Sequence, residues 1–169
     1  MTMRRFALTT SLVAGTLAFS GAAAFADTIN LGGTVSNYST ISSTATAGAG
    51  SLNLYGEGTA TADVVVKVAD IALTSNNTEG VELKAEADSA LTGGTNGVTL
   101  AYQVKLVDDN ATAPAAGAFS TTSDTVNVDN TDFSSNAANQ DLYIEYDGPE
   151  YLDPDTYSST ITMTVESYL

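Results

Sequence analysis

The chain has no cysteine, no histidine and no tryptophan, and only five of its 169 residues are basic. Without cysteine there is neither a disulfide framework nor a thiol nucleophile, so an exported form of this chain must be stabilised by strand pairing, core burial or assembly. Without histidine, the usual general base and the commonest metal-binding side chain are also missing. The composition therefore disfavours an enzyme, and no catalytic residue is predicted.

Positive charge is scarce throughout the sequence. Twenty acidic residues outnumber the five basic ones, which gives a formal net charge of −15. Nucleic acids and anionic membranes are recognised by basic patches, so neither is expected as a partner. The excess of acid favours solubility, mutual repulsion between copies and binding of divalent cations.

Residues 1–26 have the features of a secretory signal peptide. Arg4-Arg5 is followed by an apolar run from Phe6 to Phe19 and by Ala24-Phe25-Ala26, an A-x-A cleavage site. The run is too short to span a bilayer, and the alternative is an uncleaved anchor. We expect removal of this segment and secretion of a protein that starts at Asp27. That mature chain has 143 residues, enough for one domain, and a formal charge of −17 from three lysines and twenty acids.

The remaining sequence consists of short segments in which apolar and polar residues alternate. Ala62–Thr74 has the strongest β-propensity, and a one-residue shift of its phase near Ala69-Asp70 predicts a bulge. Further strands are predicted at Leu52–Tyr55, Val81–Ala87, Val98–Leu106, Thr125–Val128, Asp141–Tyr146 and from Thr160 to the end of the sequence. Because no amphipathic helix separates them, the pattern predicts an all-β sandwich.

The first nine residues of the mature chain also alternate, with Ile29, Leu31, Gly33 and Val35 on one face. The following Ser36–Ser51 is rich in Ser, Thr, Ala and Gly, which predicts a flexible connector. The expected organisation is therefore a strand-forming arm and linker over residues 27–50 and a sandwich domain over residues 51–169.

The last strand places Ile161, Met163 and Val165 on one face. A strand at the end of a chain needs a neighbour on each side to stay ordered. One interpretation is that Asp27–Val35 folds back as the first strand of an ordinary sandwich. The other is that a second molecule supplies the neighbour.

Three features together resemble pilin subunits that assemble by donor-strand exchange. They are the amino-terminal arm, the all-β middle, and the final strand with Thr156-Tyr157-Ser158 before it and a penultimate Tyr168. The chain is most similar to the spore coat protein U-like and archaic chaperone-usher pilin domains. In that family an immunoglobulin-like sandwich lacks its last strand, and the arm of the next subunit fills the resulting groove.

The resemblance implies an incomplete immunoglobulin-like β-sandwich in a bacterial pilus or surface coat that serves cell adhesion. It implies copies of the chain as head-to-tail partners, with a periplasmic chaperone and an outer-membrane usher handling them. It also implies the site residues. The donor side chains are Ile29, Leu31 and Val35, with Gly33 allowing close approach of backbones, and one side of the acceptor groove is Ile161, Met163 and Val165.

Acidic residues concentrate in the predicted loops. Calcium takes six to eight oxygen ligands from such flexible segments. The candidate calcium ligands are Asp108, Asp109, Asp129, Asp132, Asp147, Glu150, Asp153 and Asp155. None of these loops matches the EF-hand pattern, and solvated turn residues are the simpler interpretation.

The second functional hypothesis is a monomeric secreted acidic β-sandwich that binds calcium or carbohydrate. Tyr143, Tyr146, Tyr151 and Tyr157 would then offer rings for stacking on a sugar, although packing in the core or at its rim explains them equally well. Tyr157, just before the last strand, also stands where a corner tyrosine would pack.

Overall fold

The computed structural model describes residues 31–119, 121–129 and 138–167. Within these residues the protein is built from antiparallel strands and one short 3₁₀ turn, which confirms the predicted all-β class. The strands are β1 (Ser39–Ala45), β2 (Thr61–Ser75), β3 (Val81–Ala87), β4 (Leu91–Gly93), β5 (Thr99–Leu100), β6 (Gln103–Asp108), β7 (Ser123–Val128), β8 (Gln140–Gly148), β9 (Tyr157–Ser158) and β10 (Ile161–Ser167), and the 3₁₀ turn is Ala116–Ala118. None of the helical structure in the described ranges is long and apolar enough to cross a membrane.

The strands form two main sheets and a small one. One main sheet has the order β1-β2-β8-β6, the other has the order β10-β3-β7, and the small sheet has the order β5-β4-β9. Strand β2 lies inside the first sheet, and its pairing with β8 shifts register between Lys67 and Ala69. The predicted bulge is therefore confirmed within two residues of its expected place.

The two main sheets share one hydrophobic core. Its most deeply buried apolar side chains come from both sheets and include Ile71, Val81, Leu83, Val104, Ile144 and Tyr146. Tyr146 is only 1% exposed, and its hydroxyl donates to the carbonyl oxygen of Asn53 at 2.8 Å. Burial, followed by the nearby Tyr55, raises the pKa of this phenol. A buried polar group is thus paired, as stability requires.

Three sequence-based expectations about the strands are wrong. The expected connector Ser36–Ser51 contains β1, because an edge strand of small polar residues is held mainly by its main-chain pairing with β2. Leu52–Tyr55 forms no strand, since Tyr55 takes a left-handed conformation (φ 59°) that breaks extended pairing. Val98–Leu106 is divided at Ala101–Tyr102 into β5 and β6, which belong to different sheets.

The chain divides into two compact units, Met1–Thr34 and Val35–Leu169. Of the first unit, only Leu31–Thr34 is described, and these residues form no strand. All ten strands named above belong to the second unit.

Strand β6, at one edge of the four-stranded sheet, has its outward amides satisfied by β7 and the segment before it. The Val104 amide donates to the Thr121 carbonyl oxygen at 3.1 Å, and the Leu106 amide donates to Asp124 Oδ2 at 2.8 Å. The Asp124 carboxylate also accepts from Lys105 Nζ at 3.3 Å. This side of the core is therefore closed.

Tyr157 has the geometry of a tyrosine corner. Its hydroxyl donates to the carbonyl oxygen of Asp153, four residues upstream, at 2.7 Å. The bond ties the turn before β9 to the start of the last strands.

Replacing Tyr157 by phenylalanine should lower the free energy of unfolding by about 1–2 kcal/mol, because the hydroxyl donates to the Asp153 carbonyl oxygen and also accepts from Asn96 Nδ2 at 3.3 Å. Urea denaturation measures the change. Tyr151→Phe is the matched control, since Tyr151 is 76% exposed and should change stability by less than about 0.5 kcal/mol. Equal effects of the two variants would contradict a corner role.

Candidate functional site: an open groove between two strand edges

On the side of the core opposite β6 and β7, a groove of about 650 Å³ opens beside β1 and β10. Its walls are Ser43 and Ala45 on β1 and Ile161 and Met163 on β10. The remaining lining comes from core side chains and from two rim segments, namely Val68, Ala69, Leu91, Tyr102, Leu142, Ile144, residues 49–52 with Leu54, and residues 155–159. The core is therefore accessible from this side.

Strand β10 presents its free main-chain groups along the groove. Within the described ranges its only partner strand is β3, and the Asp88 amide donates to the Thr160 carbonyl oxygen at 3.0 Å in the register of that pair. Bonded and non-bonded pairs alternate in an antiparallel ladder, so Thr162 and Thr164 exchange bonds with β3. The main-chain groups of Ile161 and Met163 consequently point away from β3, towards the open edge.

Strand β1 has the same arrangement on its own outer edge. The Asn76 amide donates to the Tyr38 carbonyl oxygen at 3.0 Å, and the Thr46 amide donates to that of Val68 at 2.9 Å, both in the register of the β1–β2 pair. The even-numbered residues of β1 therefore bond to β2, and the odd-numbered ones, among them Ser43, direct their main-chain groups outward. Two strand edges without a partner among the described residues thus flank an apolar groove.

The predicted groove residues occupy two different environments. Ile161 and Met163 line the groove, whereas Val165 is half-buried against the core and does not contribute to the lining. Sequence reasoning missed the wall formed by Ser43 and Ala45, because only Ile41 stands out among the small residues of β1. Two of the three predicted groove residues thus line the cavity, and the role of Val165 stays a prediction.

The predicted donor residues lie at or beyond the start of the described chain. Leu31 is 94% exposed and Val35 is 87% exposed, and no strand forms between them. The space around Gly33 is open within 4 Å of a Cβ built on it, and Ile29 lies outside the described residues. The strand expected over Asp27–Val35 is thus not formed in its described part, because an extended segment without a partner gains no main-chain bonds.

Among the described residues, two clusters of three acidic side chains bring one carboxylate oxygen per residue within 4.8 Å of the others. The clusters are Asp70 with Asp109 and Asp141, and Asp63 with Glu145 and Asp147. Of the predicted calcium ligands, these clusters include Asp109 and Asp147. Asp132 lies outside the described residues, and the predicted ligands that belong to neither cluster are Asp108, Asp129, Glu150, Asp153 and Asp155. Calcium binding stays a prediction.

The first cluster already contains a positive charge. Lys67 Nζ lies 2.8 Å from Asp141 Oδ2 and 2.6 Å from Asp70 Oδ1, and these two carboxylates raise the pKa of the lysine. In the second cluster, burial is the main cause that raises the pKa of Glu145, with smaller effects from Asp147 and Asp63. The ammonium group of Lys67 therefore neutralises part of the first cluster.

Asp155, at the rim of the groove, holds the turn between β4 and β5. Its Oδ2 accepts from the amides of Thr95 at 2.7 Å and Asn96 at 2.8 Å, and its Oδ1 accepts from the Thr156 amide at 2.7 Å. The main-chain bonds from Asn96 and Thr95 lower the pKa of the Asp155 carboxyl group.

We expect the stabilising effect of Asp155 to be lost in acid. A carboxyl group whose pKa is lowered by folding contributes stability above its unfolded pKa, about 4, and this contribution disappears as the pH falls through the folded value. The melting temperature of the wild type should therefore exceed that of Asp155→Asn at pH 7, and the gap should shrink below pH 4. A gap that stays constant or widens in acid would contradict the role of the charge.

No protein-family model matches the sequence, and no curated protein matches it either. The function is therefore argued from the geometry of the groove.

Proposed function

We propose that this protein is a non-enzymatic structural subunit of an extracellular filament or surface coat, secreted to the cell surface. Each subunit donates residues 27–35 to the groove of a neighbour, and the copies join head to tail. The observation that carries the proposal is the apolar groove flanked by the outward main-chain groups of β1 and β10. A periplasmic chaperone and an outer-membrane usher follow as handlers from the resemblance to pilins.

The strand order supports an immunoglobulin-like sandwich that lacks one strand. In a complete constant-type sandwich, strands A, B, E and D form one sheet and C, F and G form the other. The first sheet has the spatial order β1-β2-β8-β6, which corresponds to A-B-E-D when the strands are lettered along the chain. In the second sheet, the neighbours β3 and β10 correspond to C and F. The place of strand G is beside β10, where the groove lies.

An extended peptide suits this groove better than a compact ligand does. An added strand gains a row of main-chain hydrogen bonds and places alternate side chains in pockets, which is β-augmentation. A small molecule would fill part of the volume and leave the two strand edges unpaired. The groove thus has the two features that strand addition requires.

The arm has suitable length and pattern for this role. On the β10 side, the groove lining runs from Asp155 to Met163, a stretch of nine residues. Asp27–Val35 also has nine residues and spans roughly 30 Å when extended, at about 3.3 Å per residue. Its apolar residues recur at every second position, so they can face one side together.

Electron microscopy and size-exclusion chromatography of residues 27–169 test the proposal. We expect filaments or a ladder of oligomers from this protein and soluble monomers from a variant that lacks residues 27–35. The alternative function, a monomeric sandwich that binds calcium or carbohydrate, predicts monomers in both cases. Monomers of the mature protein at every concentration would therefore reject the proposal.

A further inference from the structure

At one end, a chain of hydrogen bonds between side chains joins β1 to β10. Ser39 Oγ lies 2.9 Å from Ser167 Oγ and 2.9 Å from Ser75 Oγ, and Ser167 Oγ lies 3.3 Å from Asn37 Oδ1. We call the pair Ser39 and Ser167 the serine bridge. It connects the outer strands of the two main sheets, 128 positions apart in the sequence.

The serine bridge leaves no room for a strand between β1 and β10. Each serine Oγ lies about 2.4 Å from its own Cα, so hydroxyls 2.9 Å apart hold the two Cα atoms within about 8 Å of each other. A strand inserted between two others separates them by two strand spacings of about 4.8 Å each, which is more than 9 Å. Insertion at this level would therefore break the bridge.

The lining of the groove agrees with this limit. Ile41 on β1 and Val165 on β10 each lie two positions away from the serine bridge, and both pack against the core without lining the groove. Ser43 and Met163 each lie two positions further along their strands, and both line the groove. The groove thus begins only beyond Ile41 and Val165.

We propose that the serine bridge is a stop that sets the register of the inserted strand, an inference that rests on the proposed function. The strand is confined to the part of the groove from Met163 to Asp155, which has five odd-numbered lining positions, Asp155, Tyr157, Ser159, Ile161 and Met163. The arm carries four residues on its alternating face, Ile29, Leu31, Gly33 and Val35. Ser39 and Ser167 are therefore positioning residues, which fix the level on β10 beyond which the inserted strand does not extend.

Disulfide trapping measures the register directly, because the protein has no cysteine of its own. One cysteine is placed in the arm, in separate proteins at Ile29, Leu31 or Val35. A second cysteine is placed on β10, at Ile161, Met163 or Val165. Assembled protein is oxidised mildly, and linked subunits are counted on non-reducing gels.

In the wild-type background, we expect linkage at Ile161 or Met163 and at least tenfold less at Val165. In the double variant Ser39→Ala with Ser167→Ala, linkage at Val165 should rise at least tenfold, because the strand can slide past the former stop. Ser42→Ala removes a hydroxyl from the even-numbered positions of β1 and should leave the pattern unchanged.

Each other outcome has a distinct meaning. Equal linkage at Val165 and Met163 in the wild type, or no change in the double variant, would reject the stop while filaments still form. Absence of both filaments and linkage at every position would reject the proposed function itself, and the stop with it.

Discussion

A mature protein carrying Leu31→Asp should form no filaments at concentrations at which the wild type assembles completely. The substitution would place a carboxylate in a groove lined by side chains such as Leu142, Ile144 and Met163. Burying an unpaired charge costs several kcal/mol, and every 1.4 kcal/mol is a factor of ten in affinity. We therefore expect the concentration needed for assembly to rise at least about 100-fold, as measured by sedimentation.

Thr34→Asp is the matched control for this variant. It adds the same charge to the same arm, but the alternation of the segment places Thr34 on the opposite face. We expect assembly close to that of the wild type. If both aspartates abolished assembly equally, added charge rather than insertion of Leu31 would explain the loss, and the assigned donor face would be wrong.

Replacing Lys67 by methionine should destabilise the folded domain by about 3 kcal/mol, the largest stability effect expected from a single charged residue here. Asp141 is 1% exposed, and its Oδ1 has no hydrogen-bond partner among the described residues. Its Oδ2 accepts from Lys67 Nζ at 2.8 Å and from the Asn110 amide at 3.2 Å. Removing the ammonium group leaves a buried carboxylate without a counter-charge. Urea denaturation measures the loss.

Two further variants separate the buried pair from a general effect of charge. Lys84→Met breaks the exposed ion pair of Lys84 with Glu86 and should change stability far less than Lys67→Met does, because solvent screens an exposed pair. Adding Asp141→Asn to Lys67→Met removes the orphaned charge and should restore part of the loss. A Lys67 effect no larger than the Lys84 effect would contradict the importance of the buried pair.

The sequence predicted the strands whose side chains pack in the core. Val81–Ala87 has the predicted bounds, and the strands at the Ala62–Thr74 run and at Asp141–Tyr146 extend slightly beyond theirs. These strands alternate large apolar residues with polar ones because one face of each strand contacts the core. A period of two in the sequence therefore indicates contact with the core. The pattern fails where a strand contributes little to the core.

Strand β1 is the clearest such case. Its Ser, Thr and Ala side chains are mostly exposed, and main-chain bonds to β2 hold it in place. Main-chain hydrogen bonds do not depend on the type of side chain, so the composition of this segment suggested a flexible connector. One wall of the candidate groove was missed for the same reason, whereas the opposite wall at Ile161 and Met163 was predicted from its alternation.

The break at Ala101–Tyr102 was missed for a different reason. Leu100, Tyr102, Val104 and Leu106 alternate without interruption and are all buried, although β5 and β6 belong to different sheets. Alternation reports which side chains face the core and does not report which strand lies beside them. Sheet membership depends on long-range pairing, which no local pattern contains.

Residue-resolved hydrogen exchange before and after assembly tests the central claim most directly, because an added strand must protect alternate amides of β10. The amides of Ile161 and Met163 should exchange quickly in the monomer and become protected in the filament. Those of Thr162 and Thr164 bond to β3 and should be protected in both states. Filaments in which Ile161 and Met163 still exchange as fast as in the monomer would show that no strand occupies the groove, and would contradict the account.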